Sequence, residues 1–273
     1  MTTEQMPSPT PPSPRTLRGS NVVAVASGKG GVGKTWFSVT LTHALARQGK
    51  RALLFDGDLG LANVDIQLGF TPTYDLGSVI EGKVTLQKAA ERFPDGGFDV
   101  LAGRSGSGSL ATLAIQRLND LRSKLMELAH DYDWVIMDMG AGVDRTIRQL
   151  AGPAGITLVL TNDEPTAITD AYAYIKVTRA TNPAADIRIV VNLAQSTRDG
   201  ERTYGTINKA CQNFLKFSPP LAGIIRRDNR VRDAIRGQVP LLIRSPGSDA
   251  AKDVESLAAK LFPVGTEAVR SSA

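Results

Sequence analysis

A single cysteine, Cys211, stands in 273 residues, so one chain can build neither a disulfide framework nor a multi-cysteine metal or iron–sulfur site. Histidine is nearly as scarce. His43 and His130 have no second His or Cys at ligand spacing, which gives no reason to expect a zinc site. No apolar run approaches the roughly 18 residues of a membrane span, and the polar N-terminus lacks the apolar core of a secretory signal. Together these absences predict a cytoplasmic protein. Gly-x-Ser-x-Gly and comparable nucleophile motifs are also missing. What remains is a hydrophobic fraction of 42%, enough for a substantial core, and a net charge of +5 that permits contact with nucleic acid or anionic lipid without requiring it.

Residues 1–20 carry Pro7, Pro9, Pro11, Pro12 and Pro14 among Ser and Thr, so no periodic apolar face can form and a disordered tail is expected. From Asn21 onward, short β-rich runs alternate with longer helix-like segments. The runs are Val22–Ala26, Arg51–Phe55, Phe98–Leu101, Trp134–Met137, Ile156–Thr161, Ile187–Val191 and Leu221–Ile225. Such alternation predicts an α/β domain over 21–262, a mostly parallel twisted sheet with helices on both faces. Leu110–His130 reads as the longest helix. Asp249–Phe262 reads as the last, stopped by Pro263, and residues 263–273 form a short polar tail with no intrinsic membrane anchor. Arg226, Arg227, Arg230, Arg232, Arg236 and Arg244 cluster, offset by Asp228 and Asp233, and read either as a solvated helix face or as a polyanion-binding patch.

The most specific feature is Gly28-Lys29-Gly30-Gly31-Val32-Gly33-Lys34-Thr35, set between the first strand and a helix. Gly-x4-Gly-Lys-Thr supplies glycines that let backbone N–H groups approach phosphate oxygens, a lysine for the β/γ-phosphates and a hydroxyl for Mg²⁺. The following helix aims its positive end at the same anion. Gly28, Gly30 and Gly33 also satisfy the dinucleotide pattern, with Asp56 at about the spacing of a ribose-binding carboxylate. Lys34-Thr35 decides for a triphosphate, since a dinucleotide turn needs neither residue. After the second strand comes Phe55-Asp56-Gly57-Asp58, and after the fourth comes Met137-Asp138-Met139-Gly140. Carboxylates at strand ends beside the phosphates can hold Mg²⁺ or orient the attacking water.

With the lysine near the loop start and these two acidic segments, residues 21–262 resemble the MinD/ParA group of deviant Walker-A ATPases, P-loop proteins of the fold class just described. Within the group, Leu59-Gly60-Leu61-Ala62-Asn63-Val64-Asp65 and Asp163-Glu164-Pro165-Thr166-Ala167-Ile168-Thr169-Asp170-Ala171-Tyr172 are most similar to the flagellar-number regulators called FlhG or FleN.

The resemblance implies ATP and Mg²⁺ as cofactors. Lys34 would grip the β/γ-phosphates, Thr35 would ligate Mg²⁺, and Asp56 and Asp138 would support the metal. Asp58 would position the attacking water, and Lys29 would reach across an ATP-bound homodimer to the partner's phosphates. Asn192 would hydrogen-bond adenine, with Asp228 as a nearby second contact. It further implies a flagellar GTPase or transcriptional regulator as partner, and recruitment to a pole or membrane by such a partner. Two alternatives stay open: a ParA-like partition ATPase that binds DNA non-specifically through the arginines, and an ATP-binding interaction protein with little turnover. The chain departs from the group at Trp36 and Phe37, where smaller residues are usual, and at Arg226, where proline is common. Glu4-Gln5-Met6 and Leu17-Arg18 are too far apart to form the GTPase-stimulating element of some flagellar relatives.

Overall fold

The computed structural model describes residues 19–103 and 114–263. The predicted tails at 1–20 and 263–273 lie outside the described residues except for Pro263 and for Gly19 and Ser20, which are strand rather than tail; the first residues of the Leu110–His130 helix also lie outside them. Each apolar run of the sequence forms a strand: β1 (Gly19–Ser27), β2 (Ala52–Gly57), β4 (Phe98–Leu101), β5 (Trp134–Ala141), β6 (Ala154–Thr161), β7 (Ile187–Ala194) and β8 (Leu221–Arg226). A short β3 (Glu91–Phe93) adds an antiparallel edge against β4. The strands form one eight-stranded sheet in the order β3-β4-β2-β5-β1-β6-β7-β8, parallel apart from that edge.

Near-continuous apolar strands arise because both faces of the sheet are covered. Val22, Ala24 and Ala26 face one core with Leu53 and Phe55, whereas Val23 and Val25 face the other with Leu54. Against the first face lie α5 (Ile115–Leu128), α7 (Pro165–Thr181) and α8 (Thr197–Leu215), through Leu118, Leu121, Leu125, Tyr174 and Ile207. The second face is covered by α1 (Lys34–Arg47) and by three C-terminal helices, α9 (Asn229–Arg236), α10 (Leu241–Arg244) and α11 (Asp249–Leu261). Short helices α2 (Val64–Leu68), α3 (Leu76–Ile80) and α4 (Leu86–Ala89) follow β2, and α6 (Arg145–Ala151) follows β5.

Two details correct the reading of the helices. The helix expected over Leu110–His130 ends at Leu128, and His130 sits in a 3-10 turn over Ala129–Asp131. The longest described helix is instead α8, with 19 residues. Trp36 and Phe37 are buried in the second core, so the departure from smaller residues is absorbed by packing under α1.

Candidate functional site

Because β1 lies between β5 and β6 while the chain next crosses to β2, the carboxyl end of β1 opens onto the crevice where such sheets bind ligands. The loop Gly28–Gly33 leaves this edge and runs into α1. Gly33 is the N-cap of α1 with φ of 89°, no side chain caps the helix, and no acidic residue occupies its first turn. The amide groups of that turn are therefore left for an external anion. Two close approaches require glycine. A Cβ on Gly28 would stand 2.1 Å from the Asp170 carbonyl O of α7, and one on Gly33 would stand 2.5 Å from Asn192 Nδ2. Gly31 by contrast has open space around it.

Asn192, at the end of β7, donates from Nδ2 to the Val32 carbonyl O at 2.8 Å and is buried. The sheet thereby holds the loop from behind. Leu193, the next residue, begins a cavity of about 420 Å³ lined further by Arg227, Asp228, Val231, Arg232 and Ile235. The Asp228 carboxylate is engaged in capping: it accepts from the Arg230 N–H of α9 at 2.9 Å and from the Asp249 N–H of α11 at 3.0 Å.

Lys34 is buried at the start of α1; burial lowers its pKa, while the charges of Asp138 and then Asp58 oppose that shift. Asp138, on β5 directly across from Val25 of β1 and Asp56 of β2, accepts from Ser38 Oγ at 3.0 Å and from the Thr35 hydroxyl. Burial pushes its carboxyl up to about 6 against the opposing hydrogen bond from Thr35 and the charge of Lys34. Asp56 is raised to about 7, first by burial and then by Asp138, although three backbone amides partly stabilise its charge. Those amides are Asp58 N–H on Oδ1 at 3.2 Å and Asn63 and Val64 N–H on Oδ2 at 3.1 Å each. Asp56 thus shapes the loop that carries Asp58. The Asp58 Oδ1 accepts from the Gly60 and Leu61 amides, and its carboxyl faces Gly140.

Lys34, Thr35, Asp56, Asp58 and Asp138 are therefore brought together at one strand edge, in contact or within each other's fields. No group of three or more His, Cys, Asp or Glu suited to a metal is found among the described residues. The donor set that does exist is a hydroxyl and a carboxylate beside an open anion site. Such a pair fits a Mg²⁺ whose remaining ligands are phosphate oxygens and water.

Lys29 points elsewhere within its own chain: Nζ donates to Glu164 Oε2 at 2.5 Å and to Thr166 Oγ1 at 2.7 Å. Sequence reasoning noticed the segment Asp163–Tyr172 but not this contact, and it missed Ser38. Ser38 was detectable, since it lies one helical turn beyond Lys34 and faces the same way. The arginine cluster is divided. Arg226 is paired with Asp253 and Asp249 of α11, while Arg227, Arg230, Arg232 and Arg236 are exposed.

Comparison with known proteins gives a consistent result. The family model described as the CobQ/CobB/MinD/ParA nucleotide binding domain matches residues 23–241. The antiactivator FleN of Pseudomonas aeruginosa is 35% identical over 240 residues, covering 88% of this chain and 85% of that one. The flagellum site-determining protein YlxH of Helicobacter pylori is 26% identical, covering 88% and 81%. Among solved structures, the septum site-determining protein MinD of Pyrococcus horikoshii, complexed with Mg-ADP, superposes with a TM-score of 0.75 at 24% identity over 89% of this chain and 96% of that one.

Proposed function

The chain belongs to the CobQ/CobB/MinD/ParA nucleotide-binding family, and from that premise we propose that it is a slow, Mg²⁺-dependent ATPase, an ATP-switched homodimer that regulates flagellar number or placement. The observation that carries the chemical part is the convergence of buried Lys34 and Asp138 with Thr35 and Asp58 beneath an uncapped helix start. Lys34 and the α1 amides bind the phosphates. Thr35 and Asp138 would hold Mg²⁺, with Asp56 supporting from behind. Mg²⁺ when bound neutralises charge on the phosphate oxygens.

Asp58 accepts a hydrogen bond from the attacking water and aligns it. Asn192 keeps the loop in shape through Nδ2, leaving Oδ1 for a base amino group, and the adjoining cavity has room for the base. Asp228 contributes to that cavity by fixing the starts of α9 and α11 rather than through a free carboxylate. Lys29 supplies its charge to a second copy's phosphates, where it stabilises the transition state only when two loaded subunits meet.

The flagellar role is supported by the kinship with FleN and YlxH over most of each chain. No described helix is long and apolar enough to cross a membrane. A flagellar GTPase or transcriptional regulator would then read the ATP state and bring the protein to a pole or membrane. The exposed Arg227, Arg230, Arg232 and Arg236 keep a second reading in play, non-specific DNA binding by the ATP dimer, whose mark is a steep loss of affinity with salt. The test is a deletion strain complemented with wild type or Asp58→Ala, with filaments counted by electron microscopy. Altered filament number that wild type alone restores supports the proposal; normal flagellation of the deletion strain, with anucleate cells, assigns the chain to partition instead.

A further inference from the structure

Resting on the reading that the cavity beside Leu193 takes the base, we propose that Arg226 is a positioning residue for the nucleotide. Its clasp on Asp253 fixes the Arg227–Asp228 wall of that cavity to α11. The sheet gives this wall little support. Pairing between β7 and β8 shifts register between Val191 and Ala194, and Leu193 adopts a φ of 58° there, a left-handed conformation uncommon for leucine. The Arg227 N–H still reaches the Ala194 carbonyl O at 2.8 Å, and from that bond onward the wall leaves the strands. Arg226 supplies the missing anchor. Its backbone N–H and its Nε both donate to Asp253 Oδ2 and its Nη2 donates to Asp253 Oδ1, each at 2.9 Å, so a forked ion pair is reinforced by the main chain. Nη1 lies 3.2 Å from Asp249 Oδ1. Proline, the common residue of related chains at this position, has neither the N–H nor the fork. A ring closes around the wall, because the Asp249 N–H donates to Asp228 Oδ2 while Asp228 Oδ1 takes the Arg230 N–H. Side-chain exposures of 33% for Arg226 and 17% for Asp253 shield the fork from solvent and salt.

The helix that receives the clasp is itself tied to the phosphate side. α11 lies so close on β8 that a Cβ at Gly223 would stand 2.7 Å from Leu257 Cδ1, and Val254 and Ala258 share a core with Leu41 and Leu45 of α1. Arg47 at the end of α1 pairs with Glu255 at 2.9 Å. Lys34 and Thr35 begin that same α1. α11 is therefore a spacer between the base wall and the phosphate site, and cutting the clasp loosens the base end while the phosphate end keeps its own supports.

The test is calorimetry on the full chain with ATP and with inorganic tripolyphosphate, both with Mg²⁺, alongside thermal melting. Arg226→Ala should bind ATP about two- to tenfold more weakly, the range for ordering one or two loop residues on binding, and tripolyphosphate within about twofold of wild type. Arg226→Lys, which keeps the charge without the fork, should fall between the two for ATP. Asp253→Asn should weaken ATP in the same way, and combining it with Arg226→Ala should add nothing, as for two ends of one contact. A role in stability alone lowers the melting temperature and weakens both ligands together. That result, or unchanged ATP affinity in Arg226→Ala, overturns the proposal. Ile235→Trp, which sets a large side chain in the cavity, should weaken ATP as well. If it binds ATP like wild type while Arg226→Ala still loses ATP selectively, the cavity reading has failed, the base lies elsewhere against the clasp, and the positioning role of Arg226 stands.

Discussion

Replacing Asn192 by alanine separates two roles that one side chain could have in this site. The Nδ2 bond to Val32 joins β7 to the phosphate loop across 160 positions of sequence, in a buried setting. Its loss leaves the Val32 carbonyl without that donor, at a cost of about 1–3 kcal/mol. At the roughly 2–4 °C per kcal/mol usual for domains of this size, the melting temperature should fall by about 2–12 °C. If about 1–2 kcal/mol of that cost reappears as lost loop preorganisation, phosphate binding weakens roughly 5- to 30-fold. Calorimetry with ATP and with inorganic tripolyphosphate distinguishes the roles, because tripolyphosphate has no base to contact. Both ligands should weaken by similar factors in Asn192→Ala. Asn192→Asp should be worse for both, since it sets a carboxylate against the Val32 carbonyl and beside the phosphates. Unchanged melting and unchanged tripolyphosphate affinity, with ATP alone weakened, would refute the buttress and leave Asn192 as a base contact only.

Gly28→Ala, whose Cβ would collide with the Asp170 carbonyl, should lower stability by about 1–3 kcal/mol and reduce ATP affinity more than tenfold. Gly30→Ala, whose Cβ meets only Ala141 at 4.0 Å, should melt like wild type in the same thermal and calorimetric assays. His43, buried in α1 with Nδ1 unpartnered, has its pKa lowered to about 4 by burial and then by Arg47, so its unfolded form binds the proton first as pH falls from about 6.5. Relative to His43→Leu, wild type should therefore be unaffected at pH 7.5 and lose about 2 kcal/mol by pH 5, read from urea midpoints; a pH-independent difference would show that the imidazole is not held neutral.

How much of this was readable beforehand depends on the range of the interactions involved. The apolar strands and the α5 stripe Leu118, Leu121, Leu125 and Leu128 were legible because burial acts through local periodicity. β3 was not, because Glu91-Arg92-Phe93 is too short for alternation to register and exists only by pairing with β4. α8 was hidden by Gly200 and Gly205, although Thr203, Ile207 and Cys211 recur every fourth residue on its buried face. Gly200 is there for packing, since a Cβ would stand 2.4 Å from Ile224.

Within the site, the split between legible and hidden runs along the same line. Gly28–Thr35 and the acidic strand ends announce themselves because phosphate and metal chemistry demands fixed residue types at short spacing. What each carboxylate does depends on neighbours that the chain brings from afar. Asp56, Asp58 and Asp138 look alike in sequence, yet Asp56 accepts three backbone amides, Asp138 accepts Thr35 and Ser38, and Asp58 is set in a turn facing Gly140. The first shapes the loop after β2, the second is the partner of a hydroxyl, and the third holds a turn through Oδ1. Burial raises both Asp56 and Asp138, and a neighbouring carboxylate adds to each rise, Asp138 for the first and Asp58 for the second. The loop amides and Lys34 invite an anion while these carboxylates invite a cation. A triphosphate alone answers the first demand and meets repulsion from the second, whereas a triphosphate carrying a divalent metal satisfies both.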